Sequence, residues 1–575
     1  MKLKYNILTI CVFGLMGYSF ISCSDILDVK PLNEIVLENF WNEESDVNNV
    51  VAGCYSAMQT QATIDRMMVW GECRSENIIG GSRISDDVNL SNIFKENIKA
   101  TNPYTTWVDF YNVINRCNTV LKYAPTVAEK DPKYTQSKLK ATEAEVSALR
   151  DLCYFYLIRT FRDVPYTTEA FVDDNQTMAL PASSFDVVLD NLIADLESVQ
   201  RNAIKKYPEA NPEYQHGRIT QDAIHAMLCE MYLWKQDYAN AIKYADMVID
   251  SKKKDYEEEV EEKGETTVGS TINGFPLIND SYSTTGNSYG SAATSIFGTG
   301  NSKESIFELI FENNDNMMSN GAVSARYGNA KYPLGFFSPS DLITAEHDQA
   351  STRNKVFNKH DMRPIEYQML VSGSAYSIIK YAMNYVLIDM SGTTPSIHYS
   401  GFYPETLCHA NWIIYRLTDI MLMKAEAMAM MLPESASSTS ETLDSMRVAF
   451  NIINAVNKRS YGSKELGDTL KFADYQTKSA LENLVYDERN RELMFEGKRW
   501  YDLVRRSRRD GNTSYLIEQV TRKGSTESSV VSSKLSKMDA IYWPYNYDEL
   551  KVNTNLVQNP AFSSGEDESY STTNK

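Results

Sequence analysis

The sequence predicts a mainly α-helical protein in which helix pairs stack into a superhelix, carrying long irregular loops and a few short strands. Three observations carry this expectation. Apolar residues recur at three- and four-residue spacing through long windows, so one face of each segment is apolar. Tyr232, Tyr238 and Ala241 stand at offsets 0, +6 and +9, the spacing of a tetratricopeptide unit, where two antiparallel helices meet through a large aromatic and a small residue. Between helical regions, residues 263–405 turn rich in Gly, Ser, Asn, Thr and aromatics with little sustained periodicity.

The helices follow in order. From Trp107, the positions Phe110, Tyr111, Ile114 and Leu121 share one face with Asn118, which is therefore expected to be buried and hydrogen-bonded. A second helix is expected from about Lys138 to Phe161, with Ala141, Ala144, Ala148, Leu152 and Phe155 on one side and Pro165 ending it. The segment Asp222 to Ser251 supplies the tetratricopeptide-like pair. A further pair is expected at Trp412–Met431 and Glu441–Arg459, joined by the loop Pro433–Ser440, and the two separated pairs imply a discontinuous superhelix. The intervening stretch is too long for a linker and reads as ordered loops with short strands, because its aromatics need burial or a ligand.

Composition narrows the function classes. The chain has 575 residues, 43% of them hydrophobic, and a mean hydropathy of −0.39. These values exclude a small disulfide scaffold, a collagen-like repeat and a disordered acidic tail. Lys and Arg number 57 against 76 Asp and Glu, a net charge of −19, which argues against nucleic acid as a partner. The 36 Tyr against 21 Phe supply flat apolar faces bearing a hydroxyl.

Lys2 and Lys4 precede an apolar run from Ile7 to Ile21 that reads as a signal peptide over residues 1–22. The run ends at Phe20-Ile21-Ser22-Cys23, which resembles a bacterial lipobox and makes Cys23 the expected lipid attachment site. Six thiols remain, Cys54, Cys73, Cys117, Cys153, Cys229 and Cys408; none forms a CxxC pair, and they read as core residues. The six His show no HExxH or HxxxH spacing, so no helix-borne zinc site, and no other metal or cofactor, is expected. Asp173-Asp174 and Asn313–Asn316 lack EF-hand spacing and read as solvated loops. The runs Lys252–Lys263 and Arg505–Arg509 read as a solvated helix end and a basic helix terminus.

The segment from Tyr486 to Arg505, Tyr-Asp-Glu-Arg-Asn-Arg-Glu-Leu-Met-Phe-Glu-Gly-Lys-Arg-Trp-Tyr-Asp-Leu-Val-Arg, resembles the most specific motif of the SusD/RagB family of outer-membrane nutrient-binding lipoproteins. Matches in the same order include Phe40-Trp41, Trp107 with Tyr111 and Asn118, Glu145 with Arg150 and Asp163-Val-Pro165, Arg416-Leu-Thr-Asp, and Asn555-Leu-Val-Gln-Asn-Pro560. Departures are local: Arg162 stands where the family has Gly, the usual Pro-Ile-Pro reads Pro544-Tyr-Asn546, and Ala561 replaces a Gly. The resemblance implies one SusD-like domain over 23–575, with helical parts at 24–262 and 406–510, the loop-rich part at 263–405, a C-terminal segment at 511–562 and a polar tail at 563–575. Within the signature, Glu488, Arg491, Glu492, Glu496 and Arg499 recur at three and four residues, so acids and bases are expected to face each other along one helix.

The same resemblance implies a non-catalytic, lipid-anchored protein on the outer face of the outer membrane. It would capture an oligosaccharide and deliver it to a SusC-like TonB-dependent transporter. The alternatives are an oligopeptide-binding protein on the same scaffold and, further off, a surface glycan hydrolase. The family places ligand contacts in variable loops, which here points to two aromatic-rich segments. Residues 70–104 offer Trp70, Arg74, Asn77 and Tyr104, and residues 282–337 offer Tyr289, Tyr327, Tyr332, Phe336 and Phe337.

Overall fold

The computed structural model describes residues 40–173, 175–279, 288–289, 291–311, 319–344, 356–357, 361–389, 396–437, 440–461, 469–524 and 528–563. Cys23 with its leader, Asp174, Asn313–Asn316 and the tail beyond 563 lie outside them.

The N-terminal half is a stack of helices: α1 (Glu44–Met58), α2 (Gln61–Glu72), α3 (Val108–Lys130), α4 (Gln136–Phe161), α5 (Phe185–Val199), α6 (Gln221–Trp234) and α7 (Tyr238–Lys263). The stack resumes in α8 (Leu417–Met431), α9 (Ser440–Arg459), α10 (Lys478–Leu493) and α11 (Arg499–Asp510). Threonine starts many of these helices. Thr60, Thr135, Thr220 and Thr477 each accept, through the side-chain oxygen, a backbone N–H three residues on at 3.2–3.4 Å, worth about 1 kcal/mol apiece. Helix α1 packs on α3, α3 on α4, α4 on α5, α6 on α7, and α7 on α8, which in turn meets α9 and α10. The superhelix is thus continuous in space although about 150 residues of chain separate α7 from α8. In the α6–α7 pair, Tyr232 stacks on Tyr244 at 5.7 Å while Ala241 is fully buried, as the spacing predicts.

Three expectations are corrected, and one departure from the family pattern is accounted for. Helix α4 has no apolar side and polar side: every residue from Ala144 to Phe161 is buried, because neighbours cover it all round. Trp412–Arg416 is a strand, β4 below, and the helix begins only at Leu417. Consecutive aromatic and β-branched residues favour a buried strand over the first helical turn. Lys252 is buried rather than solvated, donating to the Ser305 carbonyl at 2.6 Å. After α4, Arg162 takes φ 72° without a glycine, held by Asp163 at 3.0 Å and by Asp539.

Sheets are small and antiparallel. Strand β1 (Ile78–Gly80) pairs with β3 (Phe337–Pro339), Gly80 facing Phe337, and β2 (Ser305–Leu309) pairs with β4 (Trp412–Arg416). Three further short ladders involve 164–165, 368–378 and 386–399. The six described cysteines are all buried and unbridged, consistent with service as small apolar side chains.

Candidate functional site

The signature acids and bases build the interior. They do not share one helix: α10 ends at Leu493, Phe495 turns at φ 66° and Gly497 at φ 69°, and α11 starts at Arg499. Only Arg491 and Glu488 pair along α10, at 2.8 Å. Glu492 accepts from Arg416 at 2.6 Å, from Arg363 at 3.2 Å and from Arg459. Glu488 also meets Arg363 at 2.8 Å, and Glu496 takes Lys380 and Arg416, each at 2.7 Å. Asp361 on Arg363 and Glu304 on Arg459 complete a group of five acids and five bases, all of them buried. Burial opposes ionisation of Glu492, but the guanidiniums of Arg459, Arg416 and Arg363 outweigh it and hold the carboxyl well below its usual range. Glu488 and Glu496 are lowered in the same balance.

A second neutral group follows. Arg489 and Arg505 clasp Asp502, Lys498 and Arg489 hold Asp419, and Arg505 reaches Glu426 at 2.5 Å. Arg505 is therefore a buried pairing residue, which corrects its reading as a basic helix terminus. Arg499 leaves the signature altogether and binds Glu76, at 2.5 Å, across 423 residues of sequence. These five signature residues are structural: each carboxylate is matched by a cation and none faces a cleft.

The exposed candidate lies where β1 meets β3. The Gly81 N–H donates to the Phe336 carbonyl at 2.8 Å, and Gly335 packs against the backbone of Arg326, where a Cβ would stand 2.3 Å from a carbonyl oxygen. Asn329 shapes the next turn, its side-chain oxygen accepting the N–H groups of Lys331 and Tyr332 at 3.0 and 2.9 Å. This geometry places Tyr332 and Phe336, both half-buried, beside Arg83. Its guanidinium stands 4.2 Å from one ring centre and 4.6 Å from the other. Exposed Ser82, Asp86 and Lys331 border the pair. Beneath, buried Arg326 binds Asp65 at 2.6 Å, receives the Phe336 ring at 5.2 Å and donates to the Tyr104 hydroxyl at 2.7 Å. Tyr104 donates in turn to Asp87 at 2.6 Å, so the platform rests on a connected polar support.

Most of the sequence candidates belong to that support or to the core. Trp70 is fully buried, stacked on Phe110 at 5.1 Å with its N–H on the Tyr104 carbonyl. Arg74 is 1% exposed and pairs with Glu96 over the Trp500 ring, and Asn77 is buried on Glu72. Tyr327 and Phe337 are fully buried, the former donating to the Phe495 carbonyl at 2.7 Å. As contacts at this platform the five are corrected: Trp70, Asn77, Tyr327 and Phe337 are closed off in the core, and Arg74, also buried, lies behind a separate cleft. Tyr104 is buried too, reaching the surface only through its hydroxyl partners. Tyr289 lies in a different ladder, opposite Ile388, and its side chain is outside the described residues. Tyr332 and Phe336 remain, and the structure adds Arg83. The sequence carried a signal for Arg83 in Gly80-Gly81, a pair that lets another backbone approach closely.

A stack of paired helices, bound inside by neutral ion clusters and bearing loops with half-buried rings, defines a helical superhelix class of scaffold. The comparisons specify it. The profile of the SusD family matches residues 232–562, and a profile described as starch-binding associating with outer membrane matches residues 25–233. The chain belongs to the SusD family. Among its relatives is SusD-like protein P38 of Formosa agariphila, 23% identical over 551 residues and covering 94% of this chain and 95% of that protein. Similar solved structures include a surface glycan-binding protein A from Bacteroides uniformis, with TM-score 0.62, 19% identity, and coverage of 90% of this chain and 100% of that one. A laminarin-binding SusD-like protein gives TM-score 0.61 and 19% identity over 90% of this chain and 100% of that one.

Proposed function

We propose that this protein is a non-catalytic, surface-exposed glycan-binding lipoprotein that captures oligosaccharide and delivers it to a SusC-like TonB-dependent transporter. The observation that carries the reading is the platform of Tyr332 and Phe336 beside Arg83. Sugars present apolar C–H faces ringed by hydroxyls, which suit half-buried aromatic rings edged by a guanidinium and exposed Ser and Asp side chains. Membership of the SusD family and the glycan-binding names of similarly folded proteins support it. In this reading residues 1–22 are removed, Cys23 carries the acyl chains, and residues 23–575 form one SusD-like unit at the outer membrane. Several acyl chains, at about 0.8 kcal/mol per buried CH2, hold such a domain stably.

Residues 24–575 applied to a glycan and peptide array, with reducing ends assayed in parallel, test the reading. Retention on glycan spots without release of sugar is expected. Retention on peptide spots alone, or liberation of reducing ends, contradicts it. The anchor is tested separately: a Cys23→Ala variant is expected in the soluble fraction, and undiminished membrane retention contradicts the assignment.

A further inference from the structure

Apart from the Arg83 platform, one cleft of about 1160 Å³ runs between residues 96–101, 533–540 and the C-terminal 547–562. Its volume exceeds the roughly 300–1,000 Å³ range of small-ligand sites, leaving room for an extended ligand. Its charge is opposite to that of the whole molecule. Lys99, Lys534, Lys537 and Lys551 line it, while its one acidic lining residue, Glu96, is neutralised by Arg74 at 2.7 Å. Four lysines are thereby gathered around a concave site on a chain of net charge −19, and a concave site focuses the field of such a group.

The lysines differ in how they are held. Lys534 is fixed by a bond from its ammonium to the Glu96 carbonyl at 2.9 Å, which leaves further N–H groups on the same nitrogen. Lys551 lies 4.3 Å over the Tyr547 ring and only 3.5 Å from the exposed carboxylate of Asp548, a long contact. Lys537 has no ion pair among the described residues. Ile98 and Leu535 lie buried behind the lining, and the flat face open to a ligand beside the charged rim is the half-buried Tyr547 ring.

We infer that this cleft is a second binding site that takes an anionic oligosaccharide, one bearing carboxylates or sulfates along its length. The spaced ammoniums meet the spaced anions, and the Tyr547 ring meets a sugar ring between them. The saccharide part of the assignment rests on the glycan-capture reading; the anionic part rests on the lysines.

The test is titration calorimetry of the full mature chain with hexagalacturonate, a sulfated galactan hexasaccharide, neutral maltohexaose and linear polyphosphate of matched charge. The variants are Lys99→Gln/Lys534→Gln/Lys537→Gln and a control triple, Lys133→Gln/Lys140→Gln/Lys235→Gln, at exposed sites elsewhere. At least one anionic hexasaccharide is expected to bind, weakened about tenfold or more by the cleft triple and by raised salt, and unchanged in the control triple. Equal binding by the cleft triple, an equal loss in the control triple, or no binding of either anionic sugar overturns the site. Polyphosphate binding as tightly as the sugars overturns its saccharide class. Maltohexaose lost on Tyr332→Ala but retained by the cleft triple reports on the Arg83 platform alone, so the two assignments fail separately.

Discussion

Glu492 illustrates how a single residue fixes this interior. Its two oxygens serve Arg363, Arg416 and Arg459, which come from three separate parts of the chain. Removing the carboxylate leaves three guanidiniums short of a partner in a region closed to water, so Glu492→Ala is expected to cost on the order of 3–5 kcal/mol, and Arg499→Ala a similar amount through Glu76. Urea unfolding measures both; a loss under about 1 kcal/mol would show the pairs to be water-screened. Glu72 has the opposite sign. Burial raises its carboxyl to about 7, and one oxygen has no partner while the other receives Asn77. The unfolded chain loses this proton between about pH 4.5 and 7 while the folded chain keeps it, so stability falls across that window and stays reduced above it. Glu72→Gln is therefore expected to stabilise the protein at pH 8 by on the order of 2–3 kcal/mol and to have little effect at pH 4. Melting curves at the two pH values decide, and an equal effect at both would contradict the raised carboxyl.

At the scale of elements, the turn between α10 and α11 sets the position of the rest. Gly71 in α2 touches Gly497 so closely that a Cβ on Gly71 would lie 1.8 Å from the Gly497 carbonyl oxygen. Gly71→Ala is expected to destabilise by about 3 kcal/mol or more, because neither backbone can yield. Near-native unfolding of that variant would contradict the close approach. Helices α3 and α9 were legible in the sequence because their apolar periodicity is long, and the α6–α7 pair was legible from the spacing of Tyr232, Tyr238 and Ala241. Trp412–Arg416 was not, since a short apolar run has no period to distinguish a strand from a buried helical turn. The candidate site was half legible. Aromatics in irregular sequence pointed to the loops that hold the exposed platform, but nothing local separates Phe337, sealed under the β1–β3 ladder, from Phe336, its half-buried neighbour. Arg74 and Arg83 likewise differ only by tertiary context: one meets Glu96 in the core, the other meets two rings at the surface.

Across the whole molecule, charge is sorted by depth. The signature acids and bases are matched inside in closed groups, while the sequence as a whole carries a surplus of acids, net −19. Glu488, Glu492, Glu496, Asp419 and Asp502 all have folded carboxyls below their ordinary range, after burial is outweighed by their cations. Their stabilisation is fully present above the unfolded carboxylate range, about pH 4–4.5, and is lost as pH falls through the lower folded values. The domain is thus expected to unfold cooperatively in acid, below about pH 4, and ellipticity followed through that range checks it; a folded domain at pH 2 would contradict the buried pairing. Although Glu304, Asp361, Arg363 and Lys380 tie the loop-rich part into this interior, the half-buried Arg83 platform is expected to vary without disturbing the frame. The most direct test is calorimetric titration of the best glycan from the array against the Arg83→Ala/Tyr332→Ala/Phe336→Ala variant, with melting recorded alongside. The account predicts that affinity falls by about 1.5 kcal/mol or more while the melting temperature stays close to that of the parent; undiminished affinity in a folded variant would contradict it.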